Sequence, residues 1–359
     1  MTLPVRLRLE PALVRRSALD SAVRIAIGAV IAFAIGGVVL VASGHDVAGA
    51  YQALFRGAFG TQRAWAATLN KAVPIGLCAI GIALAARAGL WNIGAEGQFY
   101  MGAFAATGIG LALPDAVPAG VAIPAVIAGG IVAGALWAAM AGAAKAFLAV
   151  NEIISTLLLN YVAILWVNYL VFGPWSDPTT FSFPFSEPLP DGALLPHLAA
   201  NVHTGALFLL AAIALFWAVD RGTRWGYELR VRGDAPGAAN YGGIRDWRVI
   251  VSALAAAGAL AGLAGAIEVS AVTNRLQEGL SPGYGFIGIL VAWIAANRPI
   301  PILIASILYA GFLNGAFSLQ VSGTPAAIGT VLQSLLLLCV LGLQSLSGYR
   351  LRVLGRAAG

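Results

Sequence analysis

The chain has 359 residues, of which 60% are hydrophobic and only 10% charged, with 44 glycines and a net charge of +6. A soluble domain carries about 25% charged residues, so a soluble globular fold is excluded and the sequence is that of an integral membrane protein. The positive charges sit in short flanks between apolar stretches, which argues against nucleic-acid binding, and Cys78 and Cys339 lie inside apolar segments as small hydrophobes rather than as a disulfide or metal pair.

Residues 1–22 are polar and basic, with Arg6, Arg8, Arg15 and Arg16, and lead into an apolar span at 23–42. That run is long enough to cross a bilayer, and no small-residue cleavage site follows it, so a retained span is expected. Residues 44–71 form a partly amphipathic connection suited to the membrane surface. Further spans are expected at 72–86, 95–113, 121–144 and 153–172. A proline-rich loop without Lys or Arg follows at 173–204, then a sixth span at 205–219. A strongly basic connection, 220–248, precedes four more spans at 249–269, 284–296, 300–319 and 326–346. The tail, 347–359, is basic through Arg350, Arg352 and Arg356.

With the N-terminus inside, the outside segments carry only Arg56, Arg63, Lys71 and Arg275, and every other Lys and Arg falls inside. The positive-inside bias therefore predicts cytoplasmic termini and about ten spans. Spans two to five and seven to ten run in opposite senses, so the expected fold is all-α, with two inverted four-helix units plus peripheral helices in one transmembrane domain, 23–346. Glycine-broken stretches fall at corresponding places, Gly89 to Gly102 and Gly279 to Gly288.

No HExxH occurs, the three histidines fall in outside loops, and the chain has no GK dipeptide, hence no GxxxxGK[ST] phosphate loop. Three polar stretches remain. The first, GLWNIGAEGQFYMGAF at Gly89 to Phe104, places Asn92, Glu96 and Gln98 among four glycines. Insertion scales put an acidic residue at a membrane centre at about 2.5–3.5 kcal/mol, and such residues usually face a protein interior or a watery route. A bend beside a translocation pathway and a cytoplasmic turn with a solvated Glu both fit. The second, NEIISTLLLNY, carries Asn151, Glu152 and Asn160, which either bond neighbouring helices or line a polar pathway. The third is the basic connection, where Pro236 and a small-residue run suggest a short surface helix ended by Gly242 and Gly243, against the alternative of a solvated loop.

These stretches, GLWNIGAEGQF, NEIISTLLLNY and GYELRVRGDAPGAANYGGI, followed in order by GLAGAIEVS and GYGFIGILVA, resemble the permease subunits of bacterial ABC importers. The branch is the one for nucleosides and simple sugars, related to the branched-chain amino-acid permeases. The resemblance covers about Tyr51 to Leu346. It implies a pore of two permease subunits, the second a non-identical homologue, with a cytoplasmic ABC ATPase that binds and hydrolyses the ATP. It further implies a substrate-binding protein or lipoprotein outside, placement in the bacterial inner membrane, and no cofactor on this chain. Asn92, Glu96, Gln98, Asn151, Glu152 and Asn160 are then candidates for the substrate pathway. Pro236, Ala238, Ala239, Tyr241, Gly242 and Ile244 fall in the helix that couples to the ATPase. Arg232 to Asp234 is more charged than the family pattern implies. An ion-coupled secondary transporter and an intramembrane enzyme are the rival readings.

Overall fold

The computed structural model describes residues 6–11, 18–114, 116–181, 183–198, 201–321, 323–345 and 349–354. Arg15, Arg16 and Arg356, which enter the charge count above, lie outside them. Eight of the described helices are long and apolar enough to cross a membrane. The two other expected spans are the glycine-bearing ones, α4 (Ala95–Ala112) and α11 (Tyr284–Ile294). The chain divides into two compact units, Met1–Gly57 with Gly315–Gly359, and Ala58–Asn314.

In the first unit, a strand at Arg6–Pro11 pairs antiparallel with one at Tyr349–Leu354, Arg6 opposite Leu354 and Pro11 opposite Tyr349. Helix α1 (Ala18–Ala42) packs on α13 (Ala326–Ser345) through Gly28, where a Cβ would lie 2.9 Å from Val340 Cα. The amphipathic connection holds a helix, α2 (Val47–Phe59), whose Tyr51 hydroxyl donates to the Phe33 carbonyl. Large apolar side chains such as Val30, Val38 and Leu338 point outward, as a lipid solvent permits.

The second unit is built around α3 (Gln62–Arg87), buried without interruption from Ala72 to Ala85. A helix apolar on every side belongs inside a helical body. The sequence placed this span at 72–86 with Lys71 as its outer flank. The helix in fact starts ten residues earlier, because the polar turn from Thr61 caps it and Pro74 is accommodated within it. Against α3 pack α7 (Gly205–Gly222), α10 (Asp246–Glu268), α11 and the first part of α12 (Pro299–Val321), while α5 (Ala119–Leu148) packs on α4 and α10, and α6 (Glu152–Phe172) on α4 and α5. Helices α4, α5 and α10 cross at glycines: Gly102 and Gly130 meet Gly262, and Gly134 meets Gly258. Helices α3 to α6 and α10 to α11, drawn from the two expected four-helix halves, lie together in this unit.

The polar loop after α6 is stitched down. Ser186 N donates to Leu276 O, Leu189 N to Asn274 O and Leu195 N to Ser270 O, each at 2.8 Å. The basic connection is helical as well, with α8 (Arg224–Asp234) and α9 (Pro236–Tyr241) replacing the solvated-loop alternative. Thr223 caps α8, and Pro236 opens α9 at a position where the missing N–H costs nothing.

Candidate functional site

Helix α3 ends at Arg87, and the chain then turns through Gly89, whose φ of +67° suits glycine, before α4 begins at Ala95. The irregular piece between them is closed by its own polar groups. Asn92 and Gln98 exchange two amide hydrogen bonds of 2.9 Å, and Asn92 Oδ1 also accepts from Gly94 N at 3.0 Å. From α6, Asn160 Oδ1 accepts from Gly97 N at 2.7 Å and Asn160 Nδ2 donates to Ile93 O at 2.8 Å, while Thr156 Oγ1 accepts from Ile93 N at 3.3 Å. Backbone groups freed by the break are thus satisfied inside the protein, the condition for non-helical chain at membrane depth.

Glu96 lies in the first turn of α4 and is only 2% exposed, so the solvated-turn alternative does not hold. Its carboxylate accepts from Gly285 N at 2.6 Å, and from Phe286 N and the Ser281 hydroxyl. Ser281 Oγ in turn accepts from Gly283 N and Tyr284 N at 3.0 and 2.8 Å, and Tyr100, one turn along α4, holds Ser281 N. One carboxylate therefore serves the N-terminal ends of two broken helices, where a negative charge is favoured by both dipoles. At the other end of α11, Trp293 meets Trp91 with ring centroids 4.8 Å apart and planes tilted by 39°. The two glycine-broken stretches that the sequence placed at corresponding positions are in direct contact: a Cβ on Gly285 would lie 2.2 Å from Glu96 N.

The remaining site residues expected from the sequence divide by place. Asn151 caps α6, its Oδ1 accepting from Ile153 N at 2.9 Å, and is exposed. Glu152 is buried and pairs with Lys145 at 2.5 Å, joining α5 to α6. On α9, Tyr241 is 97% exposed, Pro236, Ala238 and Gly242 are exposed, and Ile244 is half-buried, but Ala239 is buried and turns inward. Sequence reasoning missed a second ionisable group. Glu268, at the end of α10, is buried, hydrogen-bonded to the Tyr284 side chain and close to Lys71. It immediately precedes a π-helical turn, Val269–Thr273, a local geometry frequent at functional sites. The signal available in the sequence was a glutamate closing an otherwise apolar, glycine-rich run.

In the loop after α6, two groups carry perturbed titration. Thr179 hydrogen bonds, helped by Arg275, hold Asp177 below the usual carboxylate range. Burial, together with the neighbouring His197, pulls His203 down to about 4. Neither His203 ring nitrogen has a hydrogen-bond partner among the described residues. Between pH 6.5 and 4 the unfolded segment takes up a proton that the folded one refuses, so the folded loop loses up to about 3 kcal/mol as the pH falls through this window. Hydrogen exchange around His203, corrected for the intrinsic slowing of amide exchange at lower pH, is expected to accelerate between pH 7.5 and 5, and His203→Gln is expected to flatten that dependence. The same acceleration in the variant would assign it elsewhere.

A multi-span body whose two broken helices meet at a buried carboxylate has the architecture of a solute permease. The family described as "Branched-chain amino acid transport system / permease component" matches residues 64–341. The chain is 33% identical to the glucose ABC transporter permease protein TsgB13 of Haloferax volcanii, over 87% of this chain and 85% of that one. It is 31% identical to the guanosine ABC transporter permease protein NupP of Bacillus subtilis, over 83% and 86%. A second guanosine permease of that organism, NupQ, is 26% identical over 72% and 82%. No solved structure matches the chain. The chain belongs to this family and is an ABC transporter permease of the nucleoside and sugar branch.

Proposed function

We propose that this permease forms the translocation pathway of an ATP-driven importer in the bacterial inner membrane, with a nucleoside as its substrate and a simple sugar as the next choice. The observation that supports this reading is the contact of the two glycine-broken helices at Glu96, together with a short helix, α9, that presents Tyr241 to solvent. Nucleoside is favoured by the guanosine permeases among the relatives, and sugar by the glucose permease. ATP is bound and hydrolysed by a partner ABC ATPase seated on Pro236, Ala238, Tyr241 and Gly242, with Ala239 and Ile244 supporting α9 from within. The second pore subunit is a non-identical homologue, a pairing for which NupP and NupQ are the precedent. The tied-down loop 173–204 receives the extracytoplasmic binding protein. In this reading Asn92, Glu96, Gln98, Asn151, Glu152 and Asn160 fix the helices that wall the route, which opens outside and inside in turn as the ATPases close and separate. Substrate shifts that equilibrium only through unequal affinity for the two states.

The test is uptake of labelled guanosine and glucose by vesicles holding the assembled importer. Uptake that persists when proton and sodium gradients are collapsed and stops when ATP is withdrawn is expected; the reverse pattern would establish an ion-coupled carrier. Tyr241→Arg, which puts a charge on the exposed tip of α9, is expected to cut ATPase co-purification at least fivefold while leaving membrane insertion intact.

A further inference from the structure

The cytoplasmic connection is fastened to the helix break by one side chain. Helix α8 lies against residues 87–89: a Cβ on Gly233 would come 2.2 Å from Arg87 O and 3.0 Å from Gly89 N, so only glycine allows this approach. The neighbouring Arg232 is mostly buried, with its side chain 12% exposed. Its Nη1 donates to Ala88 O, and its Nε donates to the Asp246 carboxylate at 2.8 Å. Ala88 is the residue that ends α3, and terminal carbonyls of a helix have no partner within it. A guanidinium there also meets the negative end of the helix dipole.

One residue beyond Ala88 is Gly89, and the chain then passes through the Asn92–Gln98 pair to Glu96 and so to the start of α11. A displacement of α8 therefore reaches the joint through bonded and close-packed groups. The surrounding ion pairs act between side chains: Asp220 of α7 takes Arg87 of α3 and Arg230 of α8 at 3.2 Å each, and Arg87 also reaches Asn297 O, beyond the end of α11, at 3.3 Å. Among the described residues, Arg232 is the side chain that joins α8 to the main chain of the break while bonding the first turn of α10, where Asp246 lies. A guanidinium can serve a carbonyl and a carboxylate in two directions at once; a lysine in its place would reach one well and the other poorly. The excess charge at Arg232 to Asp234 thus has a use facing inward, away from the exposed tip of α9.

We propose that Arg232 is a positioning residue that transmits movement of α8 and α9 to the helix break at residues 88–94, and so sets how much solute moves per ATP hydrolysed. The inference rests on the reading of α9 as the ATPase docking helix. It is tested in proteoliposomes containing the assembled importer, with guanosine or glucose, whichever is taken up, as the probe, and with ATP hydrolysis measured in the same vesicles. For Arg232→Ala the ATPase is expected to co-purify, hydrolysis to fall less than threefold, and uptake per ATP to fall at least tenfold. Arg232→Lys is expected to lie between that variant and the parent, and Asp246→Asn, which spares the bond to Ala88, to lose less than threefold. A wild-type ratio of uptake to hydrolysis in Arg232→Ala would overturn the proposal. If that variant fails to accumulate in the membrane, a wild-type ratio in Arg232→Lys would do the same. Failure of the docking reading is seen separately, as undiminished ATPase co-purification with Tyr241→Arg.

Discussion

Glu96→Ala is expected to abolish uptake and to lower the melting temperature of the purified importer by several degrees. The substitution removes the acceptor for Gly285 N, Phe286 N and the Ser281 hydroxyl at a site closed to water. Each buried donor left without a partner costs about 1–3 kcal/mol, and the loss falls on the first turn of α11, a helix of 11 residues whose start is otherwise capped by Ser281 Oγ on Gly283 N and Tyr284 N. Glu96→Gln keeps one carbonyl oxygen of nearly the same shape. It is expected to recover much of the stability, because that oxygen can still accept from Gly285. A residue that served only as a ligand would behave differently: Ala would spare the melting temperature and depress uptake alone. Wild-type thermal stability in Glu96→Ala would therefore refute the joint described here, whatever its transport rate.

Part of this joint was legible in the sequence. Asn92, Glu96 and Gln98 among glycines mark a stretch that no lipid-facing helix would carry, and Gly279 to Gly288 was recognisable as its counterpart. What periodicity does not contain is the partner of each polar group. Glu96 finds Gly285 189 positions away, and Asn160 finds Gly97 63 positions away. Such pairings depend on which helices become neighbours, and in a body where nearly every helix is apolar the hydropathy pattern hardly distinguishes one neighbour from another. Lys71 was misplaced for a related reason. A basic residue beside an apolar run looks like a flank, yet α3 begins at Gln62 and carries Lys71 within it, where Glu268 lies close by. On α9, sequence order gave the helix but not its facing: Ala239 turns inward and Tyr241 outward because six residues make little more than one turn and a half. The charge at Arg232 exceeded what the family pattern implies, and its bonds to Ala88 O and Asp246 account for it.

Gly262→Ala is expected to destabilise the permease by about 1–3 kcal/mol, as overpacking of a tight interior does. At Gly262 a Cβ would lie 2.2 Å from Gly130 O and 2.9 Å from Gly134 Cα, and neither can rotate away as a side-chain end could. The same atom sits opposite Gly102, whose own Cβ would come 2.3 Å from Gly262 Cα, so three helices close on one point. Between helices in lipid the hydrophobic effect supplies no net drive, and association depends on backbones approaching closely enough for packing and weak polar contacts to act. Moving α4, α5 and α10 apart by even an ångström removes those contacts along their length. It also shifts Glu96, which α4 carries, relative to Gly285. Gly262→Leu is accordingly expected to leave little folded protein in the membrane. Gly342→Ala on α13, where a Cβ meets nothing within 4 Å, is expected to match or slightly exceed the parent, since alanine favours a helix by about 1 kcal/mol over glycine. Equal melting temperatures for Gly262→Ala and Gly342→Ala would mean that the three-helix crossing is looser than these distances require, and that the joint at Glu96 is held by something other than the glycines beneath it.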